Sequence, residues 1–115
     1  MPAYSLRISA AARSDVREAL EYSAIRFGSL AKGRYSTLIA QVLADISTDP
    51  RGVGSRERSD LGEGVIARHI ASSAKGTGVG DPRHIVFYRV DADHVDVLRV
   101  LHDARDLPAV LTRTE

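Results

Sequence analysis

From Ala10 to Asp49 the chain has no proline, and glycine occurs only at positions 28 and 33. Few folds tolerate so long an unbroken stretch near the start of a short chain. Either it is one long helix, or it is two helices hinged at a glycine. The apolar spacing decides for two. Val16, Leu20, Ser23 and Phe27 recur at three and four residues, with Ala12 and Ala19 beside them, and most charges lie opposite. That pattern predicts a helix over Ala10–Phe27, capped by Ser9 and closed at Gly28. Ala31, Tyr35, Leu38, Ile39, Val42 and Ile46 make the stripe of a second helix, which Pro50 and Gly52 terminate. A link this short folds the two helices back on each other as an antiparallel hairpin.

The rest of the chain changes period. Tyr4, Leu6 and Ile8 alternate with Ser5, Arg7 and Ser9, so a strand precedes the hairpin. After the hairpin, residues 51–64 (RGVGSRERSDLGEG) read as a charged, glycine-rich loop with room for a short helical turn. Strands are predicted at Val65–Ala71, Arg83–Val90 and His94–Leu101, the last two joined by the tight turn Asp91–Asp93. Between the first two lies the loop Ser72–Pro82. Consecutive strands with hairpin-type links form an antiparallel meander. The predicted class is α+β: an N-terminal strand, an antiparallel helical hairpin, then a three-stranded antiparallel meander, together one small sheet. The tail from His102 to Glu115 holds Pro108 and has room only for a short helix or an extended arm.

At 115 residues the chain is read as a single domain, 1–115. It has no cysteine, which excludes disulfide scaffolds, thiolate metal sites and thiol catalysis. Sixteen basic residues against fifteen acidic ones give no bulk attraction to nucleic acid or membrane. The opening residues lack a signal-peptide apolar region, and no apolar run is long enough to span a bilayer.

Several chemistries are tested and set aside. His69, His84, His94 and His102 form no local ligand pair, so no metal site is predicted. Gly76, Gly78 and Gly80 lead into a strand and not a helix, which is wrong for a phosphate loop. No nucleophile elbow is present. One constellation stays open. Arg68, Arg89, Arg99 and His102, with Arg105 beyond, have the chemistry to hold an RNA phosphate and move a proton. Equally, they have the chemistry of a solvated face paired to Asp96, Asp103 and Asp106.

The order of these elements, together with YSLRIS, AAARSDVREALEYSAIRFG, FGSLAKGRY, DPRGVG, HIVFYRV and above all RVLHDARD, resembles the RelE/ParE superfamily of bacterial toxins, and within it ParE. The likeness spans about Tyr4 to Leu107. It implies a cytoplasmic toxin of a type II toxin–antitoxin system, of the kind tied to plasmid stabilisation and bacterial stress response. Its antitoxin would be of ParD type, its target DNA gyrase, and it would need no cofactor. It would bind no specific DNA sequence alone and would not act as an enzyme. Tyr22, Ile25, Leu30 and Tyr35 are then expected to anchor the antitoxin, and Arg99, His102 and Arg105 to meet the target. Two alternatives accompany this reading. One is a ribosome-dependent mRNA endonuclease using Arg68, Arg89 and His102; the other is an inactive toxin that works only with its antitoxin in autoregulation. The loop Ser72–Pro82 is longer than the superfamily usually has between these strands.

Overall fold

In the computed structural model, which describes residues 3–104, five strands form one sheet with a helical hairpin across one face. Strand β1 (Ser5–Ile8) leads into α1 (Ala10–Phe27) and α2 (Ser29–Thr48). Then come β2 (Ser55–Glu57), β3 (Ile66–His69), β4 (His84–Asp91) and β5 (His94–His102). The spatial order is β1-β5-β4-β3-β2. The α+β class, the N-terminal strand, the hairpin and the β3–β4–β5 antiparallel meander are as expected.

Two details depart from expectation. A fifth strand, β2, lies in the segment read as loop and pairs antiparallel with β3, while Ser59–Leu61 makes the short helical turn allowed there. The sheet is also mixed: β1 pairs in parallel with β5, Leu6 opposite Val95 and Ile8 opposite Val97. The long excursion through both helices permits this, because parallel neighbours need an extended crossover.

The hairpin begins where the caps predict. Ser9 Oγ accepts from the Ala12 amide, and the Gly28 amide donates to Ala24 C=O. Gly28 has φ +94°, a conformation costly for any side chain, so one residue both ends α1 and starts α2. The buried face of α1 is Ala12, Asp15, Ala19 and Ser23, small or polar residues that let it lie close, with Ala12 reaching the main core. Leu38, Val42 and Ile46 of α2 pack with Ile66, Val86, Tyr88, Val95, Val97 and Val100 of the sheet. A second, smaller core forms on the other face from Leu61, Val65, Ala67, Phe87 and Leu101.

Strand alternation fails at one point. Phe87 faces Arg99 while Tyr88 faces Val97, so Leu98 is an extra residue, a bulge. Strict alternation along β5 is thereby broken. After the bulge it is Val100 and His102 that stand opposite Val86 and His84.

β1 ends at Ile8, so the outer edge of β5 beyond Val97 has no strand beside it. The start of α1 fills the gap. The Ser9 amide donates to Val97 C=O, Ser9 Oγ donates to Leu98 C=O, and the Val100 amide donates to Asp15. The same carboxylate takes both arms of Arg99, at 2.7 and 2.8 Å.

Candidate functional site

At the sheet end where β4 begins and β5 finishes, α1, α2 and residues 78–81 enclose a cleft of about 380 Å³. Tyr22, Phe27, Ala31 and Tyr35 come from the hairpin, Gly78 to Asp81 from the loop, and His84 and His102 from the strands. The size and the mostly apolar walls with a few polar groups are typical of recognition sites.

Its polar groups are linked. Tyr35 Oη accepts from the Arg83 amide at 3.2 Å and lies 2.6 Å from His84 Nδ1. With the hydroxyl proton given to Nδ1, every group is satisfied, and His84 carries its own proton on Nε2. Burial, helped by the neighbouring His102, lowers His84 to about 4, so the ring is neutral at ordinary pH. Burial also raises Tyr35, keeping its hydroxyl protonated. His84 meets both Tyr35 and His102 edge-on, with ring centres 5.5 Å apart. His102 is exposed; its Nδ1 accepts from the Ala104 amide, which leaves Nε2 for a partner.

Behind this layer Asp103 receives Arg83 at 2.9 Å and His69 Nε2 at 3.0 Å. Those two donors hold its carboxyl down to about 2. The pairing fixes the exit of β5 against the start of β4.

Beside the cleft, the hairpin tip is apolar and open to solvent. Tyr22 is 59% exposed, Ile25 83%, Phe27 68% and Leu30 68%. Such a cluster on a chain of this size marks an interaction surface. Of the residues expected to bind antitoxin, Tyr22, Ile25 and Leu30 stand here, while Tyr35 is half-buried and engaged by His84 and Arg83. Phe27 was assigned to the core stripe and is instead exposed. Ala19 and Ser23 turn inward in its place. Nothing in the local spacing separates these two choices.

The arginine constellation does not assemble. Arg68, opposite Val86, lies on the helix-covered face, buried, donating to Asp49 C=O. Its Nε has no hydrogen-bond partner among the described residues. Arg89 faces the other side, opposite Asp96, and donates to Glu63 C=O. Arg99 is held by Asp15, an acid the sequence reading had placed on the solvent side of α1. His102 alone reaches the cleft. The runner-up set of Arg68, Arg89 and His102 is therefore divided between two faces, because alternate strand positions point oppositely. Of the expected target-binding residues, Arg99 is engaged inside the fold, His102 is accessible, and Arg105 lies outside the described residues.

Asp91, His94 and Asp96 bring three ligand-type atoms within 4.8 Å of one another. A cation already sits among them. Arg7 bonds Asp96 at 2.7 Å, contacts His94 Nε2, and lies 3.9 Å from Asp91. Among the described residues, no helix is long and apolar enough to cross a membrane.

A sequence model described as the ParE toxin of the type II toxin–antitoxin system, parDE, matches residues 6–107. No curated protein sequence matches the chain. Among solved structures, a chain of the chromosomal ParDE toxin–antitoxin system from P. aeruginosa superposes with a TM-score of 0.66 at 15% identity, covering 86% of this chain and 95% of that one. A chain of the RelBE2 toxin–antitoxin complex from Mycobacterium tuberculosis gives 0.55 at 20% identity, covering 87% and 98%. The two structures share the fold, and the family match extends from the first strand past the end of β5: the chain belongs to the ParE toxin family of type II toxin–antitoxin systems.

Proposed function

We propose that this toxin acts by binding and not by catalysis: it inhibits DNA gyrase in the cytoplasm and is neutralised by a ParD-type antitoxin. The observation that carries the binding reading is the hairpin tip, where four large apolar side chains stand exposed beside a cleft. Surface of that kind is costly to leave in water and suits an amphipathic segment that orders on contact. Tyr22, Ile25 and Leu30, with Phe27 added, are the anchors for the antitoxin, and Tyr35 shapes the cleft floor. His102 at the end of β5 is left for the target, together with Arg105, which lies outside the described residues.

The dispersal of Arg68, Arg89 and His102 supports the same choice. In-line cleavage of a phosphodiester needs its acid, base and charge-stabilising groups around one atom. These three lie on two faces of the sheet. The test is gyrase supercoiling in the presence of purified full-length chain. Inhibition that disappears when the cognate antitoxin is added is the expected result. Full supercoiling at excess toxin would reject the target. Growth that continues when the chain is expressed without its antitoxin would favour the inactive-toxin alternative.

A further inference from the structure

The loop between β3 and β4 forms one wall of the cleft through Gly78, Val79, Gly80 and Asp81. Gly78 has φ +81°, and a Cβ there would lie 3.2 Å from Arg34 Cδ and 3.3 Å from Arg34 Nε. The loop backbone thus lies beside the Arg34 side chain, at a left-handed position that favours glycine. Of the two arginines lining this cleft, Arg83 is paired with Asp103. Arg34 has neither ion pair nor hydrogen bond among the described residues. Asp81, the one acid of the lining, forms no ion pair with it.

Arg34 is exposed, lines the cleft together with Tyr22 and Phe27, and offers a charge that nothing among the described residues takes up. We infer that Arg34, beside Gly78, is the residue through which this toxin selects its antitoxin. It pairs with a carboxylate of an acidic amphipathic segment whose apolar side chains cover Tyr22, Phe27 and Leu30. This rests on the antitoxin reading above and adds to it the charge of the segment and the residue that reads it. Charge complementarity of this kind governs partner choice more than raw affinity.

The test uses the full-length toxin and the antitoxin encoded beside it, with affinity measured by calorimetry at low and at high salt. Arg34→Glu is expected to weaken binding at least about tenfold, most strongly at low salt. Lys32→Glu, the same charge change on the same helix but away from the cleft, is expected to change it less than about threefold. Gly78→Val, which forces Arg34 aside, should follow Arg34→Glu with a smaller loss. Replacing the matching acidic residue of the antitoxin by Lys should restore tight binding to the Arg34→Glu toxin. Circular dichroism establishes that each variant is folded. Wild-type binding that survives Arg34→Glu within twofold overturns the inference, as does an equal loss from Lys32→Glu. A wild-type toxin that does not bind this antitoxin at all overturns the antitoxin reading itself, and this inference with it.

Discussion

Along the free edge of β5, Asp15 accepts from Arg99 twice and from the Val100 amide once, with both side chains nearly out of solvent. At the hairpin tip, Ile25 and Leu30 stand more than half exposed, and Arg34 close by has no counter-charge among the described residues. Both regions are built on the same two helices. The first uses its charges to replace a missing strand, and every group there has a partner inside the chain. The second leaves its groups waiting. The contrast separates what holds the molecule together from what it offers to another molecule, and it shows that a charged residue in a toxin of this family is not by itself evidence of a site.

The comparison breaks most readily at Asp15. Asp15→Ala should cost about 3–5 kcal/mol in urea unfolding, because it strands a largely buried guanidinium and an edge amide. A loss below about 1 kcal/mol would mean that the edge of β5 is satisfied in some other way.

A smaller effect is expected at His84, in the boundary between the two regions. Its folded value of about 4 lies below the ordinary 6.5, so the unfolded chain binds the extra proton first. Stability should therefore fall as pH drops from 6.5 toward 4. Asp103, at about 2 against an ordinary 3.8, adds a second decline in the same direction below pH 4. His84→Gln should flatten the upper limb of the profile and leave the lower one. An unchanged slope between pH 6.5 and 4 in that variant would remove His84 as its source.

The smallest effect on the fold is expected at the tip. Ile25→Asp and Leu30→Asp should shift unfolding by no more than about 0.5 kcal/mol, since neither side chain is buried. Antitoxin affinity should nonetheless drop at least about tenfold. Destabilisation as large as that of Asp15→Ala would show that the tip is packed in solution and would erase the distinction.

Much of the architecture was readable because local signals agreed. Ser9, the unbroken run that follows and Gly28 gave α1 its observed bounds, and the β-branched runs marked β4 and β5. What escaped was decided at a distance. Ser55–Glu57 has no apolar alternation and becomes a strand only because Ser55, Arg56 and Glu57 find Arg68, Ala67 and Ile66. The bulge at Leu98 leaves no trace in VDVLRVL, whose apolar residues suit either face. Asp15 looked like a solvent-facing charge because its partners, Arg99 and Val100, lie more than eighty residues away. The candidate site was legible in part. Tyr22, Ile25, Leu30 and Tyr35 were named as apolar hairpin residues once the family resemblance supplied an antitoxin, and the structure leaves the first three exposed. Phe27 and Arg34 depend on which face of α1 turns inward and on where a glycine loop lies, which no periodicity reports.

The parallel pairing of β1 with β5 sets a condition on how the toxin is made. Strand β1 has its sheet neighbour in residues 94–97, across both helices and three intervening strands. Until that stretch emerges, β1 has no sheet neighbour and is not joined to β4. Contacts of such sequence separation form late and slowly. A nascent chain stopped before His94 therefore lacks the strand that joins β1 to β4, and its hairpin has only part of the sheet to pack on.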